Sequence, residues 1–216
     1  MPHHQEALDR AHDVSVEDLA AVIQEMGFDC TQCGACCRGG GPDEPHTATV
    51  YPNEIERLQA ATAGEWRDVA RPMPYGLDAD DEGETFEWAL RTTACGDCTF
   101  LDTAADGTTS CAVYEDRPLI CATYPFQLDL TGTSEPQASV VDRAGDLLAY
   151  ECEGLGRSID PTDARELAAT IKQRSIRDIE EAIAVLEQYE PLGGEYQTVI
   201  FDSEGAKTPD GELIDR

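Results

Sequence analysis

The sequence is dominated by one stretch, Cys30-Thr31-Gln32-Cys33-Gly34-Ala35-Cys36-Cys37. It places four cysteines within eight residues. Two cysteines separated by two residues can direct both sulfurs to one point when the loop between them curls, and Gly34 relieves the backbone where a side chain would clash. Zinc sites and iron–sulfur sites both use this spacing. The stretch therefore predicts a metal bound by thiolates on a loop.

Cys36 and Cys37 are adjacent, which constrains the number of centres that the stretch can serve. Neighbouring side chains usually diverge, so both reach one mononuclear ion only if the backbone bends sharply between them. Either one of the pair joins Cys30 and Cys33 while the other binds at a second site, or the centre is polynuclear and accepts both.

Five further cysteines follow, in Cys95-Gly-Asp-Cys98-Thr-Phe-Leu101, in Cys111-Ala-Val-Tyr114-Glu-Asp-Arg117-Pro118-Leu-Ile-Cys121-Ala-Thr-Tyr124-Pro125-Phe126, and in Cys152-Glu-Gly154. The order CxxCGxCC, CxFL, CxVYxxRPxxCxxYPF and a last cysteine before glycine resembles the YkgJ-like family of cysteine-cluster proteins, to which chelation of zinc or iron is attributed. The resemblance covers Cys30 to Gly154. The combination is far more specific than a single CxxC.

The resemblance implies eight metal ligands, which are Cys30, Cys33, Cys36, Cys37, Cys98, Cys111, Cys121 and Cys152. Eight thiolates make two four-sulfur sites, or one cluster plus a zinc. Cys95 has no counterpart in the family pattern, so its role stays open.

The spacing leaves the identity of the metal open. Bacterial ferredoxins use C-x2-C-x2-C-x3-C-P, and the first three cysteines fit this pattern while Cys37 and Arg38 depart from it. A flagellin lysine methylase related to the resembled family is regarded as an iron–sulfur protein, which favours an iron–sulfur cluster, 4Fe-4S above others. The alternative is zinc, for which four thiolates would act as a folding staple.

Two arginines are candidates for contacts around the centre. A centre with four thiolates is anionic inside an acidic protein, so basic groups should lie close to it. Arg38 directly follows the first cluster, and Arg117 lies in the Arg-Pro turn between Cys111 and Cys121. Both are predicted to donate hydrogen bonds to sulfur or to pair with a nearby carboxylate.

Hydrophobic periodicity and capping signals predict an α+β fold. Ser15-Val16-Glu17-Asp18 predicts the start of a helix that Gly27 ends, and a long C-terminal helix is predicted from Pro161 to Tyr189. Short strands are expected at Thr47–Tyr51 and at Thr85–Thr92. The metal-binding core is therefore expected to be small, irregular and rich in cysteine, with a helix on either side of it in sequence.

The remaining patterns complete the predicted organisation. The segment from Ala70 to Gly83 is rich in proline, glycine and aspartate, which predicts a surface loop, and a further strand is expected around Phe126, Leu128 and Leu130. We divide the chain into a flexible N-terminus (1–14), a cysteine-cluster metal-binding domain (15–156), a C-terminal helical segment (157–192) and a tail or hairpin (193–216).

The composition is strongly acidic. Asp and Glu number 44 against 15 Lys and Arg, for a formal net charge of -29. The acidic residues are spread along the chain and arginine carries most of the basic charge, as in proteins of salt-accumulating archaea, where molar salt shortens the Debye length to about 3 Å. Nucleic acid and anionic membranes are excluded as partners, because binding to them needs a clustered basic face.

The sequence also predicts a compartment. No stretch approaches the roughly 20 apolar residues that span a bilayer, and the polar N-terminus lacks the core of a signal peptide. We therefore expect a cytoplasmic protein. An odd number of cysteines, nine, in a reducing compartment argues for metal or redox chemistry and against a disulfide framework.

These observations predict a cysteine-ligated metal-binding protein whose iron–sulfur centre serves electron transfer or a redox partner, for example as a component of an oxidoreductase. The alternatives are a structural zinc module that binds another protein, and a metal-trafficking protein that holds its ion transiently. Thiol catalysis is disfavoured because His46 is the one histidine outside the N-terminal region, and we expect it in an exposed loop.

Overall fold

The computed structural model describes residues 2–130, 139–192 and 196–215. Its helices within these ranges are α1 (Pro2–Asp13), α2 (Val16–Met26), α3 (Pro52–Thr62), α4 (Trp66–Val69), α5 (Leu119–Thr123) and α6 (Pro161–Gln188). Its strands are β1 (Thr49–Val50), β2 (Ala70–Pro72), β3 (Gly83–Phe86), β4 (Trp88–Leu90), β5 (Leu101–Thr103), β6 (Thr109–Cys111), β7 (Phe126–Leu128), β8 (Val140–Ala144), β9 (Leu147–Tyr150), β10 (Thr198–Asp202) and β11 (Gly205–Lys207). The predicted α+β fold and the long C-terminal helix are confirmed.

The chain forms two compact units. The first contains residues 1–36 and 119–180, and the second contains residues 37–118 and 181–216. Helix α6 therefore contributes its first 20 residues, 161–180, to the first unit and its remainder to the second. The boundary near the N-terminus falls between Cys36 and Cys37, inside the cysteine cluster.

The first unit combines helices with a three-stranded antiparallel sheet of order β7-β9-β8. Its most buried large side chains include Ile23 of α2, Phe126 of β7, Tyr150 of β9 and Ile171 of α6. Helix α2 forms as predicted, because the Ser15 hydroxyl accepts the Asp18 N–H at its start and Gly27, at φ 74°, ends it.

The N-terminal residues lie in the first unit. Flexibility was predicted over 1–14, and the structure has helix α1 there. Its apolar contacts come from small side chains, since Ala7 and Ala11 are both buried. The Nζ atom of Lys172, on α6, donates to the carbonyl oxygens of His12 and Val14 at 2.6 and 2.8 Å, which caps the end of the helix.

The second unit contains three small sheets. Strands β1, β4 and β2 form an antiparallel sheet in that order, β5 and β6 form a hairpin, and β10 pairs with β11 antiparallel and with β3 in parallel. The last two strands thus form a hairpin within the segment predicted as a tail or hairpin. Trp88, Leu90, Ile55 and Leu58 are the largest side chains of its buried interior around β4.

Two local predictions need correction in the second unit. The strand expected over Thr85–Thr92 is two strands, because Glu87 at φ 76° turns the chain between β3 and β4 and sends them to different sheets. Phe86 is consequently 43% exposed, whereas Trp88 is fully buried. The loop expected from Ala70 begins instead with β2, which pairs with β4.

Among the described residues, none of the helices combines the length and the apolar character needed to cross a membrane.

Candidate metal centre

The first cysteine cluster lies on the loop that follows α2. Its backbone curls as the sequence predicted, because Gln32 and Gly34, which flank Cys33, have φ values of 54° and 73°. A single 3₁₀ turn, Ala35–Cys37, ends the loop. Cys30 and Cys36 are exposed, whereas Cys33 is half-buried. All nine cysteines of the chain lie in the described ranges and carry thiols rather than disulfides.

Cys152 lies beside this cluster in the first unit. Burial raises the pKa of the Cys152 thiol, and the negative charges of Cys33, Cys36 and Cys30 raise it further. The backbone N–H of Gly154 opposes this shift by donating to the Cys152 sulfur at 3.4 Å. Cys152 and three cysteines of the first cluster, from two distant parts of the sequence, therefore interact electrostatically within one unit.

Tyr124 borders the same group of thiols. Its hydroxyl donates to the carbonyl oxygen of Glu151 at 2.6 Å, and its ring stacks on that of Tyr150, with 6.4 Å between centroids and 16° between planes. Burial raises the pKa of Tyr124 to about 12, and the charges of Cys152, Cys36 and Cys33 contribute. The hydroxyl therefore stays protonated at neutral pH.

Cys121 is the fifth cysteine of the first unit. It lies in the short helix α5, which a buried cation supports from α6. The Arg174 side chain is 6% exposed, and its Nη1 donates to the Thr123 hydroxyl at 2.9 Å. That hydroxyl donates in turn to the carbonyl oxygen of Leu119 at 2.7 Å, which closes the helix around Cys121.

Three predicted ligands of the second unit lie on segments joined by backbone hydrogen bonds. The N–H of Cys98 donates to the carbonyl oxygen of Cys37 at 2.8 Å. The N–H of Leu101 donates to the carbonyl oxygen of Cys98 at 3.1 Å, and Leu101 pairs with Cys111 across the β5–β6 hairpin. Cys98 is buried, whereas Cys95, the cysteine outside the family pattern, is exposed.

The two candidate arginines also lie in the second unit. Arg38 forms a long ion pair with Asp97, at 3.9 Å, with both side chains partly exposed. The Asp97 carboxylate also accepts the N–H of Gly39 at 3.1 Å, so it tethers the chain just after the cluster. Arg117 instead donates through Nε to the carbonyl oxygen of Tyr114 at 2.9 Å and lies 3.7 Å from the centroid of the Tyr114 ring.

The residues fit a thiolate-bound metal by their chemistry. Thiolate is the ligand that zinc and iron–sulfur clusters share, and a bound cation would oppose the part of the Cys152 pKa shift that comes from the charges of Cys33, Cys36 and Cys30. In residues 2–130, 139–192 and 196–215 the structure brings no three His, Cys, Asp or Glu side chains into a group that could hold an ion as they stand. The eight-residue ligand set therefore stays a prediction.

The chain combines an α+β fold with four closely spaced cysteines on the loop after α2. The model of the CxxCxxCC family, described as a putative zinc- or iron-chelating domain, matches residues 29–144. The chain belongs to this family. Comparisons with curated proteins and with solved structures found no match. The matched region includes Cys30 to Cys121 and ends before Cys152, so the structure supplies the placement of that residue.

Two residues that support the site were not predicted from the sequence. Gly154 was noted only as the glycine after the last cysteine, and Arg174 belonged to no predicted site. The sequence signal for Gly154 was its position two residues after Cys152. Arg174 had no signal, because its distance from Thr123 in sequence is 51 residues.

Proposed function

We propose that this protein binds an iron–sulfur cluster, with 4Fe-4S favoured, through the thiolates of Cys30, Cys33, Cys36 and Cys152. One observation supports the proposal: the antiparallel bridge of Phe28 with Leu155 in the first unit brings the segment of Cys152 next to the segment that leads into Cys30. Four thiolates are the ligand complement of one such cluster. Membership in a zinc- or iron-chelating family supports metal binding.

The chain's own residues would bind and orient the centre. When bound, an iron–sulfur cluster supplies a one-electron redox couple. The Gly154 N–H donates to the sulfur of Cys152 and so stabilises its thiolate form. The exposed thiols of Cys30 and Cys36 mark the side open to solvent, where we expect a redox partner protein to approach.

The other implied ligands, Cys37, Cys98, Cys111 and Cys121, belong to the same proposal. The division of the chain between Cys36 and Cys37 supports a role for Cys37 outside the Cys30–Cys36 group. The backbone hydrogen bonds that join the segments of Cys37, Cys98 and Cys111 support a second group of thiols. Two centres would double the metal content of the chain.

A structural zinc ion is the second candidate. The family description names zinc beside iron, and four thiolates satisfy the tetrahedral coordination of a structural zinc site. Such an ion would stabilise the fold and make the protein a module for binding another protein, with no redox chemistry.

The metal content of protein purified without oxygen, in high salt, separates the two candidates. A brown protein with acid-labile sulfide and iron in matching amounts supports the cluster. A colourless protein with stoichiometric zinc contradicts the cluster and supports the structural module. High salt is used because we also propose that this acidic chain works in a saline, reducing cytoplasm.

Two variants test the assignment of ligands. Cys33→Ser is expected to abolish metal at the first group, because it removes the central thiolate of the cluster loop. Cys95→Ser is the matched control, since Cys95 is exposed and lies outside the family pattern, and it should keep most of the metal. Equal losses of metal in the two variants would overturn the assignment.

A further inference from the structure

We infer that Gly154 is a positioning residue for the metal centre, and that the backbone pairing of residues 27–29 with residues 154–157 holds Cys152 beside the first cluster before any metal binds. The inference rests on the proposed function for the identity of the ligands. It adds that the centre assembles on a protein that is already folded.

The pairing consists of backbone hydrogen bonds on both sides of one isolated bridge. The N–H of Asp29 donates to the carbonyl oxygen of Gly154 at 3.1 Å, and the N–H of Gly156 donates to the carbonyl oxygen of Gly27 at 3.0 Å. Phe28 and Leu155 form the antiparallel bridge between them. Cys30 follows one paired segment and Cys152 precedes the other, so the pairing brings these cysteines to the same end.

Two glycines permit the close approach of the two segments. A Cβ atom on Gly154 would lie 2.4 Å from the carbonyl oxygen of Asp29 and 3.0 Å from the ring of Phe28. A Cβ atom on Gly27 would lie 2.5 Å from the carbonyl oxygen of Arg157. Contacts this short with backbone atoms require the chains to separate, so any side chain at Gly154 opens the pairing on the side of Cys152.

The pairing is anchored to the interior of the first unit. The Phe28 ring meets the ring of Phe126, a fully buried residue of β7, edge to face at 5.6 Å. This geometry is favourable for aromatic pairs. Gly154 also donates its N–H to the Cys152 sulfur, so one residue both allows the approach and orients the thiol. None of these contacts requires a metal.

Gly154→Ala tests the inference by metal binding. We expect the variant to bind Co²⁺, used as a spectroscopic probe of thiolate coordination, about 10–100-fold more weakly than the wild type, as changes around metal ligands commonly do. It should resemble Cys152→Ser in the spectrum of the bound ion. Gly145→Ala is the matched control: Gly145, in the turn between β8 and β9, has φ 60° and a Cβ there meets nothing within 4 Å, so this variant carries backbone strain without a clash and outside the pairing. It should bind Co²⁺ nearly as well as the wild type.

Hydrogen exchange of the metal-free wild type gives a readout independent of the variants. The N–H groups of Asp29 and Gly156 should be protected from exchange in the absence of metal. Rapid exchange at both would overturn the inference, as would wild-type Co²⁺ affinity in Gly154→Ala. If the amides are protected but the wild type binds no metal, the result would contradict the proposed function and still support the pairing.

Discussion

Lysine occurs at two positions, and both ammonium groups are bound within the fold. Lys207 is 2% exposed, and its Nζ lies 2.9 Å from the carboxylate of Asp202, which is 3% exposed, and 2.5 Å from that of Glu204. Asp202 also accepts the indole N–H of Trp88 at 2.8 Å. At Lys207 a compact ammonium therefore fits a buried carboxylate.

Lys207→Met is expected to destabilise the protein by about 3–5 kcal/mol, because it leaves the buried Asp202 carboxylate without its cation. Urea unfolding at constant high salt measures the change. Asp202→Asn combined with Lys207→Met should recover part of the loss, since the double variant removes the unpaired charge. A loss below about 1 kcal/mol in the single variant would show that the pair is solvated in solution.

His46 is half-buried, in contrast to the exposed position predicted for it. Protonation of its ring therefore affects the stability of the folded protein. The pKa of His46 is lowered from 6.5 to about 4, mainly by burial and also by the charge of Arg71, while Asp97 opposes the shift. Between pH 6.5 and about 4, the unfolded chain therefore binds a proton at His46 that the folded protein does not bind. Stability from the neutral ring is fully present above pH 6.5 and declines as the pH falls toward 4.

The expected loss from His46 across that window is up to about 3 kcal/mol, since each tenfold change in proton affinity corresponds to about 1.4 kcal/mol. Unfolding free energies of the wild type and of His46→Gln, measured at intervals across it, test this. Carboxylates also titrate in this range, so the informative quantity is the difference between the two proteins. Parallel pH profiles would show that His46 ionises freely in the folded state.

Some features of individual site residues could be predicted from the sequence, and others could not. Cysteine spacing identified thiolate chemistry and the family, and the turn at Gly34 explained how the loop curls. The neighbours of Cys152 could not be found in this way, because they depend on a pairing between residues about 125 positions apart. The contact of Arg117 with the Tyr114 ring depends likewise on a side-chain geometry that spacing does not encode.

At the scale of elements, helices with their own capping signals were predictable and the others were not. Helix α2 is capped by Ser15, and α6 is preceded by Asp160, whose carboxylate accepts the N–H of Thr162. Helix α1 has no acidic residue in its first turn and buries mainly alanines, so its sequence resembles a frayed terminus. Its last carbonyls are bound by Lys172, 160 residues away from His12.

Lys172→Met tests whether α1 depends on this distant cap. The variant keeps most of the aliphatic stem and removes the ammonium, so we expect it to cost about 1 kcal/mol and to act mainly on α1. Hydrogen exchange of the α1 amides should accelerate while that of α2 stays unchanged. Arg165→Met is a suitable control, because Arg165 lies on the same helix and forms an exposed ion pair with Glu17. Equal exchange of α1 in both variants would contradict the role of Lys172.

The net charge of the whole molecule affects the stability of its folded state. Acidic groups outnumber basic ones by 29, and the ion pairs of its arginines, such as Arg10 with Asp146 and Arg143 with Asp129, lie at partly exposed positions where each contributes little. The folded state therefore concentrates repulsion that local pairing does not remove. Screening by dissolved salt is the remaining way to lower it.

Stability should accordingly rise with salt concentration over a range in which most proteins change little. Raising KCl from about 0.1 M to about 1 M shortens the Debye length from about 10 Å to about 3 Å, less than the spacing of most surface charges. We expect the unfolding temperature to rise by at least about 5 °C. In a chain of this size, 1 kcal/mol of stabilisation raises the unfolding temperature by roughly 2–4 °C, so this rise corresponds to about 2 kcal/mol. Sucrose at matched osmolality is the control, since it favours compact states without screening charge. A flat response to KCl, or an equal response to sucrose, would show that the acidic surface is accommodated without salt and would remove the basis for placing this protein in a saline cytoplasm.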